Sequence, residues 1–256
     1  MLHAHSNLWH YLWIAPNVLF LVLAAVIWRR RLIRKFPAFF AFAIFSSLGQ
    51  LAVYLADIVP SVSPETFWRV DWASLLIEGV LKFAVIGEIF ANVFGAYFSL
   101  ARLGRLLIRV VGALLVLTAA VAAAYAPKDS IFGIVSGAHL LEQTVYLIEC
   151  GLLAFIFGIA FYFRLRFGRI VFGIALGLSI SACVHLATWA VIANGGLSDK
   201  TRELFDFLNM GTFHFCILLW FYYVLVPGTA PAHAAIPLPE NNLDVWNREL
   251  ERLVHQ

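Results

Sequence analysis

Seven apolar runs limit what this chain can become. They cover Tyr11–Trp28, Pro37–Val59, Trp72–Leu100, Leu106–Ala126, Leu140–Phe163, Ile170–Ala193 and Leu204–Val226. Each is near or above the ~20 residues that a helix needs to cross ~30 Å of hydrocarbon. Lipid offers no water to backbone N–H and C=O groups, so such runs must satisfy their own hydrogen bonds as helices. The expected fold class is therefore all-α: a polytopic membrane protein whose residues 11–226 form a seven-transmembrane-helix bundle. Composition agrees, with 62% hydrophobic residues, 13% charged residues and a mean hydropathy of +0.86. A soluble domain has roughly 45–50% apolar residues.

Orientation follows from Lys and Arg in the short loops. The first loop, "RRRLIRK", carries Arg29, Arg30, Arg31, Arg34 and Lys35. The link between the third and fourth runs holds Arg102, Arg105 and Arg109, and that between the fifth and sixth holds Arg164, Arg166 and Arg169. The alternate loops have only Arg69, Lys128, Lys200 and Arg202, mixed with acids. The expectation is an N-terminus outside and a C-terminus in the cytoplasm, in the plasma (inner) membrane, with a bacterial source. "MLHAHSNLWH" lacks a positive n-region and a small-residue cleavage site, so residues 1–10 read as a short extracytoplasmic N-terminus. The net charge of +3 reflects the loop bias rather than nucleic-acid binding. Cys150, Cys183 and Cys216 fall inside apolar runs, poorly placed for the disulfide framework of a secreted domain.

Residues 227–240 form a linker containing Pro231, Pro237 and Pro239. Beyond it, "NNLDVWNRELERLVHQ" (241–256) reads as a cytoplasmic amphipathic helix. Leu243, Trp246, Leu250 and Leu253 make one apolar stripe, with charges of both signs opposite. The balanced charge favours self-association or a protein partner over anionic lipid. Within the bundle, Gly173 and Gly177, extended by Ser181, form a small-residue ridge suited to close helix contact. An offset of 64 residues aligns Glu78 with Glu142 and Gly104–Arg105 with Gly168–Arg169, and both duplication and shared composition explain it.

The charges inside the runs carry the functional signal. Ionisable groups in a membrane are costly and face the bundle interior or a water-filled cavity. Glu78 and Lys82 are i,i+4 and share a helix face. Counted from the outer ends, Gln50, Lys82, Glu149, His185 and His214 all lie ~10 residues deep, or ~15 Å. Glu78, Glu142, Asn209, Asp206 and Asp57 lie nearer the outside. These residues outline a polar cavity open outward, with Glu88 deeper as a lower pathway. Simple stapling of helices, at ~0.6–2 kcal/mol per polar contact, explains the same pattern. Zinc or haem at His185 and His214, with Glu149 as a third ligand, has no supporting motif, and no cofactor is expected.

In span count and direction the chain is similar to rhodopsins, to heptahelical receptors and to the seven-span sensor regions of bacterial histidine kinases. The last run, "LFDFLNMGTFHFCILLWFYYVLV", has no lysine for a retinal Schiff base, and "SLARLGR" has no receptor-like Asp-Arg-Tyr. No kinase, cyclase or phosphatase sequence follows Pro227, and no nucleophile motif marks an enzyme. The expected function is a membrane sensor or binding module for a small polar ligand or proton. A small-solute or ion transporter and a structural subunit of a membrane complex are the alternatives.

Overall fold

A computed structural model of the chain describes residues 6–95, 131–162, 167–193 and 199–226, with isolated positions 106, 110, 113, 117, 165, 248, 251 and 252. Six long helices account for nearly all of them: α1 (Asn7–Arg29), α2 (Pro37–Ile58), α3 (Pro64–Phe94), α4 (Ile131–Tyr162), α5 (Arg169–Ala193) and α6 (Asp199–Leu225). Five are long and apolar enough to cross a membrane: α1, α2, Glu142–Tyr162 of α4, Arg169–Ile192 of α5 and Glu203–Leu225 of α6. The third expected span falls on a helix, α3, which carries Glu78, Lys82 and Glu88 and is not among these five. The fourth expected span and the tail helix lie outside the described residues, apart from the isolated positions.

Three helices start five or more residues before their apolar runs, α3 at Pro64, α4 at Ile131 and α6 at Asp199, and α1 starts at Asn7, within the stretch expected to be a short N-terminal tail. Hydropathy marks only the part fit for lipid, whereas a helix continues through polar sequence until a cap stops it. For α3 the cap is Ser63, whose Oγ accepts a hydrogen bond from the Thr66 amide at 3.2 Å, with Pro64 in the first helical position.

The helices close a ring. Each packs on its neighbours in chain order, α6 returns to α1, and α3 also touches α5. Large apolar side chains face outward: Phe161 is 87% exposed, Val80 66% and Leu147 64%. Water penalises such a surface over so many helices, and lipid does not. Inside, one half of the ring is filled by an aromatic cluster. Trp220 stacks on Phe20 at 5.1 Å between centroids and meets Phe39 edge-on at 5.2 Å, and Phe42 packs on Phe20 at 5.4 Å.

The ridge on α5 sets how closely it approaches α6. A Cβ on Gly173 would strike the Tyr223 ring, and one on Gly177 would strike the Trp220 indole. Cys216 of α6 donates its thiol to the Gly177 carbonyl at 3.2 Å. The end of α6 is closed by two arginines from the basic segments. Arg30 Nη1 donates to the Val224 carbonyl at 2.7 Å, and Arg169 Nη1 to the Val226 carbonyl at 2.6 Å. Cations at a helix C-terminus meet both its orphan carbonyls and its negative dipole end. These contacts place Arg30 and Arg169 at one end of the bundle.

Glu88 sits near that end. Its two carboxylate oxygens accept from the Ala38 and Phe39 amides, each at 3.1 Å. These are orphan donors in the first turn of α2, whose own N-cap residue, Phe36, has no side chain able to accept. The carboxylate thus caps a neighbouring helix, a use that its sequence position does not announce. Glu88→Leu should lower stability by about 1–2 kcal/mol, the range for losing a cap. It should also speed hydrogen exchange at the Ala38 and Phe39 amides. Unchanged exchange there would rule out the capping role.

Candidate functional site

The other half of the ring encloses a cavity of about 810 Å³. It extends from Trp68 near the start of α3 and Glu203 near the start of α6 down to Phe42 and Trp220 of the aromatic cluster. All six helices line it. The helical repeat explains the lining from α3: Trp68, Asp71, Leu75, Glu78 and Lys82 recur at spacings of three and four, so one face of α3 runs the depth of the cavity. Glu142 and Tyr146 do the same on α4, and Leu178, Ser181 and His185 on α5.

Seven of the expected site residues line this one space: Gln50, Glu78, Lys82, Glu142, His185, Asp206 and Asn209. Asp57, Glu149 and His214 do not. Glu149 is fully buried behind Lys82, with its Oε2 3.8 Å from Lys82 Nζ. His214 lies by Tyr11, at 6.2 Å between ring centroids, and its Nδ1 has no hydrogen-bond partner among the described residues. Glu88 is the cap described above and is not part of the lining. Among the described residues no group of three His, Cys, Asp or Glu side chains is arranged to hold a metal ion.

The polar side chains form a chain of contacts across four helices. Lys82 Nζ is 3.0 Å from Glu78 Oε1, the i,i+4 pair expected from the spacing. The same ammonium sits 4.1 Å from the Tyr146 ring centroid, a cation–π contact in a desolvated setting. Tyr146 in turn stacks on His185, with centroids 4.1 Å apart and planes at 23°. His185 Nε2 is 3.3 Å from Glu142 Oε1. Thr188 donates to Asn209 Oδ1 at 3.2 Å and carries the network to α6. The 64-residue offset that aligns Glu78 with Glu142 also aligns Lys82 with Tyr146, and this second pair is in contact.

Several cavity residues carry no strong sequence signal. Tyr146 belongs to the Glu142–Glu149 face, at i+4 from one and i−3 from the other, and following that face would have found it. Asn17 and Ser46 are single polar residues within apolar runs, and nothing in their spacing points inward. Both are buried and both line the cavity. Asn17 Nδ2 donates to the Trp13 carbonyl at 2.7 Å, but neither Asn17 Oδ1 nor Ser46 Oγ has a hydrogen-bond partner among the described residues.

Fold and site together define the class: an integral, multi-pass membrane protein of helical-ring construction, with a polar cavity within the ring. Compared with protein-family models, curated proteins and solved structures, the chain matches none.

Proposed function

We propose that this chain is a plasma-membrane binding module, of sensor type and without catalysis of its own, whose cavity takes a small polar ligand from outside. The observation that carries the reading is the cavity of about 810 Å³ holding an ordered polar network. Ligand sites of about 300–1,000 Å³ with a few placed polar groups are the usual pattern. Pure stapling has no need of a space this large between the stapled helices. Binding is favoured over transit because Phe20, Phe39, Phe42 and Trp220 fill the bundle beneath the cavity. Glu88, the expected lower step of a pathway, has both oxygens engaged by α2 amides. The arginine-rich segments and the C-terminus lie on the cytoplasmic side in this reading, where the 241–256 helix meets a protein partner or a second copy.

Accessibility of the cavity floor tests it. A single cysteine at Ser46, in a background without Cys150, Cys183 and Cys216, should react with small charged methanethiosulfonates added to intact cells. A cysteine at Gly168 should react only in inverted vesicles. Reaction of the Ser46 site from the cytoplasmic face alone would reverse the orientation. No reaction from either face would remove the cavity as a binding site.

A further inference from the structure

Given that the cavity is a binding site, as proposed above, we infer that its ligand is an organic cation: a protonated amine on an apolar body. Charge is the first reason. Five carboxylates line the space, Asp71, Glu78, Glu142, Glu203 and Asp206, against one lysine among the described residues. That lysine is not available to an anion. Lys82 lies between Glu78 at 3.0 Å and the buried Glu149 at 3.8 Å, so its charge already has two acidic partners. Glu142 has His185 at 3.3 Å, and the carboxylates of Glu203 and Asp206 at the mouth are the ones that would draw in a mobile cation; low-dielectric walls strengthen that attraction.

Two buried atoms supply the second reason. Asn17 Oδ1 is an acceptor only; it belongs to a side chain that lines the cavity and has no donor among the described residues. Ser46 Oγ lies on the neighbouring helix, also without a partner among the described residues; as a hydroxyl it both donates and accepts, so the acceptor-only Asn17 Oδ1 carries the distinction. Asn17 is 3% exposed and Ser46 2%, so leaving them unmatched is unfavourable. An ammonium offers several N–H donors and matches an acceptor, whereas a carboxylate ligand offers none. The walls are the third reason. Trp9, Trp13, Trp68, Phe213 and Trp220 present aromatic surface that attracts a cation by its face and shelters an apolar body. The Lys82–Tyr146 contact shows this chemistry already in use inside the bundle.

Tryptophan emission from the full chain in lipid nanodiscs provides the test, because four of the lining residues are tryptophans. Three probes of one shape are compared: 2-phenylethylammonium, 2-phenylethanol and phenylacetate. The ammonium should saturate, with the alcohol and the acid at least about tenfold weaker. Asp206→Asn with Glu203→Gln should weaken the ammonium by about tenfold or more and leave the alcohol unchanged. The alcohol thereby reports that the variant is folded. Glu65→Gln, at an exposed pair with Arg69 outside the cavity, should change neither. Equal or tighter binding of phenylacetate or phenylethanol overturns the cation assignment while the cavity stands. Absence of saturable change with all three also overturns it, and the Ser46 cysteine labelling then decides separately whether the cavity admits ligands.

Discussion

Lys82→Met should destabilise the solubilised protein more than the triple variant in which Glu78→Gln and Glu149→Gln are added. The single change leaves Glu149 ionisable, fully buried and without the lysine at 3.8 Å, and neither of its oxygens has a hydrogen-bond partner among the described residues. Removing one partner of a buried ion pair costs about 3–5 kcal/mol, whereas replacing the whole set with neutral groups of similar size is often nearly neutral. At roughly 2–4 °C per kcal/mol for a chain of this size, the single variant should melt on the order of 10 °C lower, and the triple should regain most of that. The comparison is thermal unfolding of the three variants under one detergent condition. A single variant as stable as the triple would mean that the charges are not coupled. A stable triple variant that no longer binds the phenylethylammonium probe would place the network in the binding function.

The second large effect belongs to the α5 ridge. Gly177→Ala puts a methyl onto the Trp220 indole, 2.7 Å from Cε2. Gly173→Ala puts one 2.6 Å from Cδ2 of Tyr223. Trp220 has little room to retreat. It is held against Phe20 and Phe39, and its Nε1 donates to the Ile174 carbonyl at 3.4 Å. Overpacking of this kind costs about 1–3 kcal/mol per site. Gly158→Ala is the matched control, since a Cβ there meets nothing within 4 Å and alanine is the better helix former by about 1 kcal/mol. Lower melting for the first two variants and equal or higher melting for the third is the expected order. Gly177→Ala melting with Gly158→Ala would contradict the close approach of α5 and α6.

Which charges would lie inside the bundle was legible in the sequence, because an ionisable group in an apolar run has so few acceptable surroundings. Glu78, Lys82, Glu142 and His185 stand out by type alone. Depth counting set Gln50 level with Lys82 and His185, with Asn209 nearer the outside, and all six line one cavity. What each charge does was less legible. Glu88 looks like a member of the same series, but its carboxylate lies against the first turn of α2, where backbone amides need an acceptor. Glu149 shares a helix face with Glu142, yet the packing of α4 on α3 seats it behind Lys82 rather than in the open space. Asn17 and Ser46 were silent because a single polar residue in an apolar helix satisfies itself against its own backbone as readily as it faces a ligand.

Periodicity and length sufficed for the local outcome: long apolar runs in lipid become helices, short links make them neighbours, and glycines four apart leave one side flat enough for close contact. Those are properties of a segment and its solvent, and they need no knowledge of the other segments. The cavity is a property of the ring. Whether facing side chains fill the space between six helices depends on rotations about each axis and on where Trp220 and Phe20 meet, and only the assembled structure sets these. The same assembly brings Lys82 onto Tyr146 and closes α6 with Arg30 and Arg169, because each of those contacts joins residues from helices that no local pattern relates.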